Sequence, residues 1–447
     1  MGMRVITLTP ATSQEQQRAL EEVKDFALTD MDRGGQERWT YRMLQEPALT
    51  EHLERIAEPR TFPSTSNPRP SSSALAVDAV SFQPCRSWHH RSQDRYVVEE
   101  WPLPGGSWTY TAVFDGHMNH DAVDHVSAVV GPLLRRELDA ALRAAPSPSC
   151  PPNAVADLLR RTLERVDADL ISAFTSLFPA DPTHADPSHA HALLNDKGKG
   201  PGDGAAGHWR AARAFGGSTA LVALVDPTQA NLWVANIGDC VAVLAEKDGR
   251  EGWRGTVLNV IHNGGNPQEL ARIRSEHPDE PECTWNDRVL GFLAPTRALG
   301  DAWLKLPAPY AALVFGHLDA DWLAAEAMAQ HVPRIRSPPY LSAAPDVYHR
   351  ALDHGARVER VLVLASDGLS DLYDGCAFGE MAREWAGAVG GAADAGPSPG
   401  GRRANLALAL LREAIGGADA QLVSRTLTVE MEERWMDDTT IVALRLS

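Results

Sequence analysis

Short apolar runs alternate with turn residues over most of the chain, and longer stretches carry apolar residues at helical spacing. Ala74–Phe82, Arg95–Trp101 and Trp108–Phe114 read as strands, with Pro102–Gly106 as a turn between the last two. Two amphipathic helices are expected next. One buries Val123, Val126, Val130, Leu134 and Leu138, and the other Val155, Leu159, Leu163, Val166, Leu170 and Phe174. Ser147–Pro152 breaks the chain between them. Strands return at Ser218–Val225, Asn231–Ile237 and Val241–Ala245. A helix is expected over Asn266–Glu276, with Pro267 early in it. Thr296–Trp303 reads as a polar turn and 304–338 as irregular. Val361–Ala365 is a strongly apolar strand. Gly390–Gly401 reads as a loop, 403–415 and 419–435 as helical, and Thr440–Leu446 as a last strand. Strands in runs and helices in separate blocks predict an α+β fold, sheet on sheet with helices outside.

The domain organisation follows from the breaks. Residues 1–73 read as a partly helical N-terminal extension ending in a Pro/Ser-rich linker, Pro63–Ser73. Residues 74–447 read as one domain with a mobile insertion near 179–213. The insertion's histidines, His184, His189, His191 and His208, have no ordered ligand spacing and read as solvated loop.

The chemistry concentrates where apolar runs meet acidic turns. Thr111–His117 reads T-A-V-F-D-G-H, a strand whose exit presents Asp115 and His117, with Gly116 offering a sharp turn and an open carbonyl. Gln93-Asp94, Ser366-Asp367-Gly368 and Asp437-Asp438 repeat the pattern. One Asp-Gly pair is ordinarily only a turn. Several converging carboxylates repel one another and need a cation to coexist. Oxygen ligands alone suit Mg²⁺ or Mn²⁺ better than zinc.

Composition narrows the classes. A formal charge of −17 argues against nucleic acid as a partner. Five cysteines at wide spacing, with no C-x-x-C, favour a reducing compartment and make a structural zinc site unexpected. No apolar run has the length of a membrane span. The first fifty residues are acidic with a single serine, unlike a transit peptide, so an intracellular protein of the cytosol or mitochondrion is expected.

The acidic turns belong to a longer ordered set: Q-D-R-Y at 93–96, F-D-G-H at 114–117, G-G-S-T-A at 216–220, V-A-N-I-G-D at 234–239, T-R-A-L-G-D at 296–301, L-A-S-D-G-L at 364–369 and D-D-T-T at 437–440. The set resembles the metal-dependent protein serine/threonine phosphatases of type 2C. Residues 266–278, 288–305 and 338–347 resemble the pyruvate dehydrogenase phosphatase branch. The resemblance implies a four-layer α/β/β/α sandwich of two antiparallel sheets flanked by helices. It implies two Mg²⁺ or Mn²⁺ ions, with a looser third. Asp115 would bridge two ions, the Gly116 carbonyl would bind one of them, and Asp367 and Asp437 would bind the other. Asp239 falls at the third-ion position. Gln93 and Asp94 would hold metal-bound waters, and His117 would be the general acid. The implied partner is a phosphoprotein, of the mitochondrial dehydrogenase kind for this branch.

Departures from the family pattern are specific. Gln93 stands where Glu is usual, Met118-Asn119 follow the histidine, Ser370 stands where Trp is common, and Val241-Ala242 follow Cys240 where Arg is common. His89 stands where many members carry a phosphate-binding arginine, which leaves Arg91, out of register, as the candidate. These departures keep a pseudophosphatase, a binding or regulatory protein on the same fold, as the alternative, with a hydrolase of small phosphate esters as a third class. Arg297 and Asp301 read as a structural ion pair. Trp285 and Trp303 read as packing, and Cys240 as a small buried residue.

Overall fold

The computed structural model describes residues 12–13, 25–34, 37–63, 76–85, 91–144, 150–200, 206–248, 252–323, 325–352, 358–396 and 403–446. Two antiparallel sheets stack face to face. The five-stranded sheet runs, edge to edge, Asp346–Ala351, Asn231–Ile237, Ala220–Val225, Gly106–Phe114 and Arg95–Leu103. The six-stranded sheet runs Trp253–Val257, Val241–Asp248, Val358–Ala365, Thr439–Leu446, Ala76–Phe82 and Arg60–Pro63.

Two-residue alternation builds the layers. In Val358–Ala365, Leu362 and Leu364 point between the sheets, while Val361, Val363 and Ala365 point outward to helices. Ala220–Val225 does the same from the other sheet: Leu221, Ala223 and Val225 face inward, Ala220, Val222 and Leu224 outward. Both faces are covered, so these strands read as unbroken apolar runs rather than alternating ones. The helices His120–Ala144 and Pro152–Thr175 cover one outer face. The helices Ala48–Ala57, Phe378–Asp394, Leu406–Ala414 and Ala420–Thr428 cover the other. The result is the expected four-layer α+β sandwich.

The edges and insertions differ from the expectation. The stretch before residue 74 is not separate from the fold: Arg60–Pro63 pairs with Ala76–Phe82, and Leu49, Leu53 and Ala57 are buried in the core. Most of the expected linker, residues 64–73, lies outside the described residues. The segment 179–213 carries two helices, Pro187–Leu194 and Gly207–Phe215, packed against Ala308–His317 through Leu194, Ala211 and Phe215. His208 there is buried, its Nδ1 3.1 Å from the Leu194 carbonyl, rather than solvated. Gly390 lies inside the helix Phe378–Asp394, not in a loop. A Cβ on it would sit 2.2 Å from the Trp253 ring, so only glycine admits that indole. No helix among the described residues is long and apolar enough to cross a membrane.

Candidate metal and active site

The acidic turns meet at one end of the two sheets because the strands that carry them do. Gly106–Phe114 ends at Asp115, and Val358–Ala365 ends at Ser366-Asp367. Asn231–Ile237 exits to Asp239, Arg95–Leu103 starts after Asp94, and Thr439–Leu446 starts after Asp437-Asp438. Hydrogen bonds fix these ends to one another. The Asp115 N–H donates to Thr219 Oγ1 at 2.9 Å, and the Thr219 N–H donates back to the Asp115 carbonyl at 2.8 Å. Ser366 Oγ donates to Asp94 Oδ2 at 2.6 Å and accepts from the Thr440 N–H at 2.9 Å. Asp438 is fully engaged: it accepts from the Gln93 N–H at 2.7 Å, from Gln83 Nε2 at 2.9 Å, and pairs with Arg434 at 2.7 Å. Asp438 ties the turns together, while its neighbour Asp437 is held through Oδ1 by Arg434 at 2.6 Å and the Asp438 N–H at 2.7 Å.

Carboxylate oxygens of Asp115, Asp239 and Asp367 lie within 4.8 Å of one another, as do those of Asp367, Asp371 and Asp437. Asp367 belongs to both groups. Burial, then mutual charge, pushes the Asp115 and Asp367 carboxyls well above the usual range. Burial first, then Asp438, raises Asp94 to about 8. Burial first, with Asp371 and Asp437 adding, raises Asp239 to about 7. Asp94 Oδ1 and Asp239 Oδ1 are buried with no hydrogen-bond partner among the described residues. Buried native oxygens are ordinarily satisfied. Hard oxygen donors, mutual repulsion and oxygens without partners together fit a divalent cation of the Mg²⁺ or Mn²⁺ type.

Gly116 is needed for closeness rather than for a left-handed turn. A Cβ on it would meet Val123 Cγ1 at 2.6 Å and the Gln93 carbonyl at 2.9 Å. Gly116–His117 pairs with Gly217–Ser218, which pairs with Leu299–Gly300 in a three-stranded ribbon. The ribbon brings His117 Nε2 to 2.8 Å from Asp301 Oδ2.

This corrects the expected Arg297–Asp301 pair. Arg297 instead grips Glu269 at 2.7 Å and Asp346 at 3.4 Å. Four-residue spacing favours pairing only on a helix, and Leu299–Gly300 is extended. Asp371 was missed. It lies four residues after Asp367 on the short helix Asp367–Asp371, and that spacing was its available signal.

The other sequence candidates sit as follows. Gln93 contributes its backbone N–H to Asp438, and its carboxamide makes no hydrogen bond among the described residues. Arg91 is exposed. With burial and Arg95, its charge lowers the His120 pKa at the start of the neighbouring helix. His89 lies outside the described residues. Trp303 is fully buried, Trp285 is half-exposed, and Cys240 is buried with its Sγ 3.1 Å from Thr219 Oγ1.

A carboxylate cluster at the end of a two-sheet sandwich is a site that could hold divalent metal. Residues 203–397 match the family model described as Protein phosphatase 2C. A protein phosphatase 2C homolog of Schizosaccharomyces pombe is 26% identical over 383 residues, covering 82% of this chain and 78% of that one. The human mitochondrial [pyruvate dehydrogenase [acetyl-transferring]]-phosphatase 2 is 38% identical over 162 residues, 36% of this chain and 29% of its own length. The Saccharomyces cerevisiae mitochondrial phosphatase 1 of the same name is 31% identical over 178 residues, again 29% of its length. The chain is similar to the protein phosphatase 2C family over residues 203–397, somewhat under half of its length. Its likeness to the pyruvate dehydrogenase phosphatases spans about three-tenths of their length.

Proposed function

We propose that the protein is a Mg²⁺- or Mn²⁺-dependent phosphatase that removes phosphate from serine and threonine in proteins. The observation that supports this best is the pair of carboxylate groups sharing Asp367, with buried oxygens left unpartnered beside them. In this reading Asp115, the Gly116 carbonyl, Asp367 and Asp437 would hold two ions, Asp239 would take a looser third, and Asp371 adds charge beside Asp367 and Asp437. Bound there, the ions supply positive charge against the phosphate and lower the pKa of the attacking water. The chain's own residues do the rest. Asp94, held by Ser366, and Gln93, held through Asp438, orient water at the site. Arg91 meets the phosphate, and His117 gives a proton to the departing serine or threonine oxygen. The carboxylates Asp115, Asp239, Asp367 and Asp437 are all present, which favours a phosphatase over a pseudophosphatase. The local likeness to mitochondrial phosphatases supports a phosphorylated dehydrogenase as the substrate.

The test compares kcat/KM for a phosphoserine peptide with that for a small alkyl phosphate over a Mn²⁺ titration. A protein phosphatase uses contacts remote from the phosphate, so the peptide is expected to win by ~100-fold or more. Equal values would make the protein a small-ester hydrolase. The same titration reads Gln93. A carboxamide is a poorer partner than a carboxylate for water whose hydrogens point outward, so Gln93→Glu is expected to lower the half-saturating Mn²⁺ by ~10-fold. Coincident values would remove the Gln93 side chain from the ions' waters.

A further inference from the structure

The hydrogen bond between His117 and Asp301 ties a fully buried carboxylate to the imidazole at the edge of the acidic cluster. Asp301 is fully buried. Its Oδ2 lies 2.8 Å from His117 Nε2, and its Oδ1 has no hydrogen-bond partner among the described residues. A buried carboxylate kept for stability is normally satisfied at both oxygens. Here a whole carboxylate is committed to one ring nitrogen.

The surroundings hold it there. Asp301 adopts φ +48° and ψ +45°, a left-handed conformation that Asp tolerates better than most residues. Its N–H donates to the Gly216 carbonyl at 3.0 Å. The preceding Gly300 has φ +84°, and a Cβ on it would meet that same carbonyl at 2.3 Å. Asp167 anchors the turn from the helix Pro152–Thr175. It accepts from the Gly300 N–H at 2.8 Å and from Lys305 Nζ at 2.6 Å. A Cβ on Gly217 would fall 2.0 Å from His117 Nε2 and 2.1 Å from Asp301 Oδ2, so the pair is packed against bare backbone.

We infer that Asp301 is the positioning residue for His117: it holds the proton on Nε2 and so leaves Nδ1 as the nitrogen that protonates the leaving oxygen. An ionised carboxylate only accepts, so the bond places hydrogen on Nε2 and fixes the neutral tautomer. In the charged ring both nitrogens carry hydrogen. The water oxygen bonds to phosphorus as the bond from phosphorus to the serine or threonine oxygen breaks. That oxygen takes the Nδ1 proton, the attacking water gives up its own to solvent, and the Nε2 proton stays on the ring, hydrogen-bonded to Asp301. The inference rests on the reading of His117 as general acid.

Two measurements on the full chain with saturating Mg²⁺ test it. Nitrogen-15 NMR of the imidazoles reads the tautomer. Wild-type His117 is expected as Nε2–H when neutral. Asp301→Asn, whose carboxamide can donate to Nε2, is expected to shift the ring toward Nδ1–H. A wild-type Nδ1–H ring would overturn the inference, and that reading needs no variant, so it stands even if Asp301→Asn fails to fold. The second measurement compares kcat on a phosphoserine peptide with kcat on an aryl phosphate, whose leaving oxygen needs no proton. Asp301→Asn is expected to lose ~10–100-fold on the peptide and under ~3-fold on the aryl ester, with His117→Ala showing the same split. A split for His117→Ala without one for Asp301→Asn sinks the inference alone. Equal losses on both substrates for His117→Ala would remove the general acid itself, and the positioning role with it.

Discussion

Asp115→Ala and Asp367→Ala should each cost ~100-fold or more in phosphopeptide turnover, the scale of losing an electrostatic stabiliser of the transition state. Asp367 should matter most, because its oxygens belong to both carboxylate groups. The folded protein should not suffer to match. Burial and like charges push both carboxyls well above their ordinary range, so removing one relieves repulsion. Melting in EDTA is expected to be unchanged or higher for the variants. Added Mn²⁺ should raise the wild-type melting temperature, because a ligand bound only by the folded state stabilises it, and should raise the variants much less. A variant that keeps wild-type turnover, or gains as much from Mn²⁺ as wild type does, does not lack a metal ligand.

Glu269→Ala should be strongly destabilising. Glu269 is 4% exposed and accepts from Arg297 at 2.7 and 3.0 Å, Arg272 at 3.0 Å and Thr296 Oγ1 at 2.8 Å. Burial alone would raise its pKa, but the two arginines and Thr296 outweigh burial and hold it at about 2. Removing it takes from both guanidinium groups their shared buried partner, leaving Arg297 to Asp346 and Arg272 to Glu276; breaking a buried pair costs at most about 3–5 kcal/mol. The sign of the pH dependence follows. A carboxyl whose folded pKa lies below its unfolded value of about 4.3 stabilises above that value. The contribution fades as pH falls from about 5 toward 2. Urea unfolding should therefore show wild type well above Glu269→Ala at pH 7, with the gap closing in acid. A gap independent of pH would mean that packing, not charge, holds this clamp. The clamp reaches the site by contact: Arg297 touches Asp346, Asp346 Oδ2 lies 2.9 Å from His262 Nε2, and His262 Nδ1 accepts from the Gly238 N–H at 3.3 Å, beside Asp239.

The central strands and two of the long helices were legible because burial leaves a plain record in residue choice. Val361–Ala365 and Ile441–Leu444, the middles of two strands, are buried on both faces and wholly apolar. Edge strands leave no such record. Trp253–Val257 and Asp346–Ala351 are half-exposed, carry Arg, Asp and His, and were not read as strands. The helix Ala308–His317 was missed for the opposite reason: it is apolar on nearly every side, so it shows no stripe. The carboxylates at strand ends were legible because the apolar-to-acidic switch is abrupt. Asp301 was seen but given the wrong partner. Its link to His117 runs through three two-residue strands from distant parts of the chain, and no local spacing encodes that.

The central claim is that these carboxylates work by holding divalent metal. The direct measurement is phosphate release from a phosphoserine peptide by the full chain, first stripped with EDTA and then re-supplied with Mn²⁺ or Mg²⁺. No release above background in EDTA, restored in a saturable way by either ion, is the predicted result. Release in EDTA at the rate seen with saturating metal would contradict it.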